Sequence, residues 1–320
     1  MKLGIVGTGM IVRDLLQTLH KVRLEKLAIW GRDGVKTQQL AAEYGILSVF
    51  DSYQAMLESD LDTLYIALPN HLHFAFAKQA LAAGKHVIIE KPITVNVAEF
   101  QALRELAQEK KVILIEAVTV HYLPAYLAIR EKLPALGEIK IVSLNYSQYS
   151  SRYDRFKAGE TPPVFDPQKA GGALMDLNVY NIHFAVGLFG KPQGCTYAAN
   201  MQRGIDTSGI LLLDYPAFKA VCISAKDCAA PVMLSIQGDK GNITVPMPAN
   251  AMNRFTYTAN QGEAEQFEFA ETHRMLPEFE QFVRIIDHRD FTLAEQMLDI
   301  SAAVCEVVEQ AKSSHVLSLV

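Results

Sequence analysis

Along residues 1–120, short apolar runs alternate with stretches in which apolar residues recur every three or four positions. Residues 2–7, 26–30, 61–68, 86–90 and 111–118 read as strands. Most are apolar nearly throughout, as parallel strands buried on both faces are. Between them, 11–19, 35–44, 73–83 and 97–108 carry helical spacing, with Ile11, Leu15, Leu16 and Leu19, or Phe74, Ala77, Ala80 and Leu81, on one face. Gly45 and Gly84 follow two of these helices as stops. Asn96 with Glu99 resembles a capping box before a third. Alternation of strand and helix predicts a parallel sheet with right-handed crossovers.

After residue 120 the pattern changes. A helix follows Pro124, and 138–150 alternates apolar and polar positions. From Cys195 to Phe269 about seven strand-like segments follow, among them 195–202, 208–214, 217–224, 231–237 and 241–245. Turn signals such as Gly238-Asp239-Lys240-Gly241-Asn242 separate them. This predicts a mostly antiparallel sheet, with one face packed by a helix over 173–189 and the other available to a subunit partner. The last helices are expected over 277–288 and 292–313. Leu293, Met297, Ile300, Val304 and Val308 stripe the final one and would pack it back on the fold.

Composition narrows the function classes. The chain has 320 residues, half of them hydrophobic, and a formal net charge of -5. That length allows two domains, and that charge gives no footprint for nucleic acid or an anionic membrane. No apolar run approaches a membrane span. The chain begins directly as a strand, so no signal peptide is expected. Cys195, Cys222, Cys228 and Cys305 form no metal-like spacing and read as free thiols in a reducing cytoplasm. His71 and His73 are the only closely spaced histidines and lack an evident third ligand, so no metal site is expected.

Chemistry concentrates where strands end. Gly7-Thr8-Gly9 turns the first strand into a helix. Gly7 permits the tight turn, Gly9 lets a pyrophosphate approach, and the helix start at Met10 and Ile11 supplies N–H groups. Val12 stands where a third glycine is usual. The second strand ends at Gly31, and Arg32 follows. A guanidinium suits a 2'-phosphate, so NADP is preferred over NAD. The alternative is that Asp33 grips a ribose and Arg32 is solvated.

His86-Val87-Ile88-Ile89-Glu90-Lys91-Pro92 is an apolar strand that stops on an acid, a base and a proline. Charges at the carboxyl end of a parallel strand are out of place as packing, and that edge is where open α/β sheets bind ligands. Pro92 cannot extend the ladder, so Lys91 would be held there. Alone, it reads equally as an ion pair with Glu90.

The glycine turn, Pro69-Asn70-x-x-His73, Glu90-Lys91-Pro92, Glu116-Ala117 and Gly171-Gly172-Ala173-Leu174-x-Asp176 together resemble the glucose–fructose oxidoreductase / inositol dehydrogenase / rhizopine catabolism (Gfo/Idh/MocA) family over nearly the whole chain. The resemblance implies an α/β chain. Its parts would be an N-terminal Rossmann dinucleotide-binding domain (1–120) and a C-terminal α+β substrate-binding and dimerisation domain (121–320) with a mostly antiparallel open sheet. It implies hydride transfer between NADP or NAD and a carbinol or carbonyl of a sugar, polyol or trans-dihydrodiol. It places Lys91 beside the nicotinamide and the reacting hydroxyl, and Leu68, Pro69, Asn70, His73 and Glu90 along the cofactor. The family's D-x-x-x-H helix motif reads Asp176-Leu177-Asn178-Val179-Tyr180, with tyrosine in place of histidine. The sugar-oxidoreductase and dihydrodiol branch has that tyrosine too. Positions i and i+4 share a helix face, so Asp176 and Tyr180 can reach one substrate. His121 and His183 fall at further substrate-facing positions.

Oxidation requires removal of the hydroxyl proton as hydride leaves. Either Tyr180, its phenolate favoured by the Lys91 charge, or Lys91 itself would carry that proton. Asp176 would bind a neighbouring hydroxyl or orient Lys91. Tyr146, Tyr149, Arg152, Tyr153, Arg155 and Lys157 are sugar-binding candidates, or equally a dimer-contact loop or solvated lid. Two other readings stay open: a redox-assisted lyase or glycosidase that recycles a tightly held NAD, and a non-enzymatic cofactor-binding regulator.

Overall fold

Six short, mostly apolar strands assemble into one parallel sheet: β1 (Lys2–Val6), β2 (Lys26–Trp30), β3 (Ser48–Val49), β4 (Thr63–Ile66), β5 (His86–Glu90) and β6 (Leu114–Ala117). The computed structural model describes residues 1–314. The sheet order is β3-β2-β1-β4-β5-β6, so the winding reverses between β1 and β4. Helices α1 (Met10–Leu19), α2 (Gly34–Tyr44), α3 (Tyr53–Leu57), α4 (His73–Ala82) and α5 (Val97–Lys110) make the crossovers. Their ends follow local chemistry. Asn96 Oδ1 accepts from Glu99 N–H at 2.8 Å and starts α5, and Gly45 at φ +68 ends α2. β4, β5 and β6 are buried at every residue. Sequence alone missed β3 and α3, which are too short to show a period.

The second unit has its own sheet. Its strands are β7 (Ile139–Ser147), β8 (Gly194–Gln202), β9 (Ile205–Asp214), β10 (Lys219–Ala225), β11 (Met233–Gly238), β12 (Gly241–Val245), β13 (Arg254–Ala259) and β14 (Ala264–Glu268). They run in the order β14-β13-β12-β11-β7-β10-β9-β8, antiparallel except between β7 and β10. Helices α6 (Pro124–Lys132), α7 (Tyr153–Lys157) and α8 (Val179–Phe189) belong here, and α8 packs on β7 and β10. Alternation sorts the faces: Val142, Leu144, Ala220, Cys222, Leu211, Leu213, Leu234 and Ile236 are buried beneath α8's side, while Ile141, Ile210, Leu212 and Met233 point out.

The first compact unit comprises Met1–Ala117 and Met275–Ala302, and the second Val118–Arg274 with residues 303–314. The chain therefore returns. Helix α9 (Leu276–Asp287) and the first part of α10 (Phe291–Ser313) complete the first unit. There α9 packs against α1, and Phe279 meets Tyr65 edge-on with ring centroids 5.3 Å apart. The chain's amino group donates to Asp287 Oδ1 at 2.7 Å. Arg104 on α5 donates to Glu295 and Asp299 on α10, at 2.6 Å to each from Nη2. Among the described residues, no helix is long and apolar enough to cross a membrane.

Candidate active site

In the first unit the turn after β1 is built for close approach. Gly7 adopts φ +130, and a Cβ there would collide with the Ala67 carbonyl oxygen. Gly9 caps α1 with no side-chain cap bond and no acid in the first turn, and a Cβ on it would meet open space. Uncapped N–H groups beneath an open glycine fit a dinucleotide's pyrophosphate. Thr8 is half-buried, Met10 exposed, and Val12, on the first turn of α1, fully buried.

At the end of β2, Gly31 packs against Thr8 and Thr37. Arg32 is exposed. Asp33 is the cap of α2, its Oδ1 accepting from Lys36 N–H at 3.0 Å. One carboxylate oxygen of Asp33 is thus engaged in capping, while the Arg32 guanidinium stands exposed at the same strand tip.

The ends of β4 and β5 are braced together. Tyr65, fully buried on β4, donates its hydroxyl to Glu90 Oε1. Glu116 Oε1 on β6 accepts from Ile93 N–H at 2.8 Å, and so fixes the chain just past Pro92. The Lys91–Pro92 peptide bond is cis. His73, at the start of α4, has no exposed surface. Its Nδ1 lies 2.9 Å from Pro92 O and its Nε2 2.7 Å from Leu68 O. Burial pushes its pKa below the usual histidine value, against the pull of those carbonyls. Both ring nitrogens of His73 and Oε1 of Glu90 thus brace the segments that carry Leu68-Pro69-Asn70 and Lys91. Lys91 and Asn70 are half-buried at this same edge.

In the second unit the expected continuous helix over 173–189 departs from regularity. Leu174–Asn178 is a π-helical turn that runs into α8, with Val179 N–H reaching Leu174 O five residues back. Such single turns recur at functional sites, and this one carries Asp176. The turn before it is moulded on Asp206: Gly172 sits at φ +103, and a Cβ there would strike Asp206 Oδ1. Asp206 Oδ2 accepts from Leu174 N–H at 2.7 Å and from the Tyr197 hydroxyl at 2.8 Å. Burial raises the Asp206 pKa, opposed by those hydrogen bonds and by the Lys226 charge. Asp176 Oδ2 accepts from Lys226 Nζ at 2.6 Å. Tyr180 is buried but for 7% of its surface, and its ring lies 6.3 Å from that of Tyr146. Asn178 Nδ2 donates to Cys222 O at 3.1 Å, and Asn181 Nδ2 to Ile223 O at 3.1 Å, which pins the helix to β10.

Of the three further expected substrate residues, His121 and His183 are buried and Tyr149 is exposed. His183 is fully buried, and its Nδ1 lies 3.0 Å from His121 Nε2. Burial, then the neighbouring His183 and Arg130, hold the His121 pKa well below the usual range. The pair packs in the core of the second unit, because Gly187 leaves room for His121 and Tyr126. Tyr149 is exposed and donates to Asp154 Oδ1 at 2.7 Å while accepting from Lys157 Nζ at 3.0 Å. Of the aromatic segment, Tyr153, Phe156 and Phe165 form a buried cluster with Ile205, whereas Tyr146 and Arg152 are half-buried and Arg155 and Lys157 exposed. Sequence reasoning missed Lys226 and Asp206. Lys226 follows the strand Ala220-Val221-Cys222-Ile223-Ser224-Ala225 as Lys91 follows Val87-Ile88-Ile89-Glu90, a signal of the same kind.

Comparison with known proteins decides the family. Residues 1–118 match the model of the GFO/IDH/MocA oxidoreductase family with NAD-binding Rossmann fold, and 127–244 match a GFO/IDH/MocA C-terminal domain. The chain is 30% identical to the scyllo-inositol 2-dehydrogenase (NADP(+)) IolU of Bacillus subtilis, across 97% of this chain and 96% of that one. The chain belongs to the Gfo/Idh/MocA family. It is an NAD(P)-linked oxidoreductase. It is also 35% identical to the uncharacterised oxidoreductase YgjR of Escherichia coli, across 76% of this chain and 75% of that one. Among solved structures, the 3-ketoreductase KijD10 of Actinomadura kijaniata, crystallised with NADP and TDP-benzene, superposes with a TM-score of 0.85. It has 21% identity and 98% of each chain is covered, a likeness of fold.

Proposed function

We propose that this member of the family transfers a hydride between NADP, in preference to NAD, and a carbinol or carbonyl of a sugar, polyol or trans-dihydrodiol. The observation that carries the reading is Lys91. It is a half-buried ammonium held at the carboxyl end of β5, two strands from the glycine turn of β1 and just beyond the point where the winding reverses. Gly7, Thr8, Gly9, Met10 and Ile11 hold the pyrophosphate, and Leu68, Pro69 and Asn70 follow along the cofactor. The bound nicotinamide supplies the hydride chemistry. In the oxidative direction Tyr180 or Lys91 takes the hydroxyl proton as the C–H bond breaks; in reduction the same group returns it. Asp176 accepts a hydrogen bond from an adjacent hydroxyl. The similarity to an NADP-dependent inositol dehydrogenase over almost the full length supports a polyol-type substrate. Initial rates of NADP+ and NAD+ reduction over sugars, inositols and dihydrodiols test the reading.

Arg32 selects the 2'-phosphate through charge-assisted hydrogen bonds. Arg32→Ala is expected to raise KM for NADP+ by about tenfold or more and leave KM for NAD+ nearly unchanged. Equal effects on both cofactors in steady-state kinetics would remove Arg32 from this role.

The outer face of the second unit's sheet joins two copies of the chain. Ile210 lies opposite Ile223 and Leu212 opposite Val221, with Ile141 and Met233 continuing an apolar patch over neighbouring strands. Antiparallel sheets usually turn polar residues to water on an open face, and a contiguous apolar patch marks an interface. A flat two-fold pairing of this sheet with its copy buries it on both partners. The double variant Ile210→Asp, Leu212→Asp is expected to run as a monomer in light scattering where the parent runs as a dimer. The four free thiols fit a reducing compartment such as the cytoplasm.

A further inference from the structure

We infer that Lys226 is a positioning residue for Asp176, holding that carboxylate from beneath in the one orientation in which it accepts a hydrogen bond from a substrate hydroxyl next to the reacting carbon. The inference rests on the reading of Asp176 as a substrate-contacting residue.

Lys226 follows β10, and its backbone N–H donates to Thr207 O at 2.8 Å. Its side chain is 2% exposed, whereas that of its partner Asp176 is 33% exposed. Lysine is almost never fully buried unless paired, and an ion pair sealed from water carries a large desolvation cost. A pair built only for stability gains nothing from leaving one member open. Here the cation is sealed and the carboxylate is presented. Substrate can reach Asp176 and cannot reach Lys226. The ammonium is itself fixed in place. Nζ donates to Asp176 Oδ2 at 2.6 Å and to Val164 O at 3.1 Å, and lies 4.8 Å over the Phe165 ring.

The surroundings hold the same geometry from the other side. Asp206 ties down Leu174 N–H, two residues before Asp176. Asp227, next to Lys226, accepts from Thr207 and Ser208 at 2.7 and 3.0 Å, and Tyr197 donates to Asp206. The π-helical turn is thus clamped at its first N–H and at its acidic side chain. A carboxylate locked on a buried cation also stays ionised, so it acts as acceptor and does not compete for the substrate's proton.

The test uses the full-length protein with Lys226→Met, Lys226→Gln and Lys226→Arg. The titration of Asp176 is followed by 13C NMR of labelled aspartate and identified by the signal lost in Asp176→Asn. Kinetics are read as kcat and KM for substrate and cofactor over pH, beside a melting curve and cofactor affinity. With the cation removed, Asp176 is expected to bind its proton about tenfold or more tightly. KM for substrate then rises with KM for NADP+ unchanged, and the acidic limb of the rate profile moves to higher pH. Lys226→Arg recovers most of the loss. A folded Lys226→Met or Lys226→Gln variant with unchanged Asp176 titration and unchanged substrate KM overturns the inference. The NMR arm needs no turnover, so a chain that oxidises no polyol refutes the proposed function separately from the role of Lys226.

Discussion

Lys91→Met is expected to lower kcat by about a thousandfold while NADP+ still binds within a few-fold of its parental affinity. Methionine keeps the unbranched apolar stem and removes the charge and the proton. Positioned acid–base groups contribute roughly 10²–10⁴ in rate, and the loss of a local positive charge at the proton-transfer step adds to it. On the proposed reading, cofactor binding rests instead on the glycine turn, the end of β4 and Arg32, none of which this substitution touches. Tyr180→Phe provides the second corner of a cycle. If Lys91 and Tyr180 serve one proton, the double variant is little worse than the poorer single one, because residues acting as a unit are not additive. Stopped-flow hydride transfer and cofactor titration read both quantities. A near-parental kcat in Lys91→Met removes the lysine from the chemistry.

Gly7→Ala is expected to damage both fold and cofactor binding. At φ +130 an alanine is strained by roughly 1–3 kcal/mol, and its Cβ must displace the Ala67 carbonyl at the end of β4, at a further cost of about 1–3 kcal/mol. The combined destabilisation of the first unit is about 3 kcal/mol, visible as an earlier denaturant midpoint for that unit. The displaced turn also moves the β1 and β4 ends apart, and cofactor affinity falls by about tenfold or more, equivalent to roughly 1.4 kcal/mol. Unchanged midpoint and affinity would show that the turn tolerates a side chain and is not the pyrophosphate cradle. Gly9→Ala makes the useful contrast. Open space lies above Gly9, so the fold survives and only the approach of the cofactor suffers.

Much of this was legible because burial writes itself as pattern. Val87-Ile88-Ile89 and Leu64-Tyr65-Ile66 lie inside a parallel sheet, and an element buried on both faces must be apolar throughout. The second sheet alternates because only one face meets α8, and its seven strands after residue 190 emerge close to the expected segments. Caps were legible where a side chain has a single job, as at Asn96. What stayed hidden depends on contacts far apart in sequence. Ser48–Val49 becomes a strand only by pairing with Ala28 and Ile29. His73 carries a family motif, yet its two ring nitrogens lie against Pro92 and Leu68 carbonyls. His121 and His183 are 62 positions apart and meet in the core. The π-helical turn at Asp176 leaves no periodic trace over so few residues. Lys226, paired across 50 positions with Asp176, left only a charge at a strand's end. The same signal led to Lys91.

Net cofactor reduction is the most direct measurement. The full-length protein, supplied with NADP+ and a panel of sugars, inositols and trans-dihydrodiols deuterated at each carbinol carbon in turn, is followed by NADPH absorbance and by transfer of the label to the nicotinamide. The account predicts NADPH formation with at least one polyol or diol, faster than with NAD+. The label at the oxidised carbon should move to nicotinamide C4, with a primary isotope effect when hydride transfer is exposed by Lys91 or Tyr180 substitution. Cofactor that stays bound through turnover, with an eliminated or hydrolysed product and no net NADPH, would contradict it.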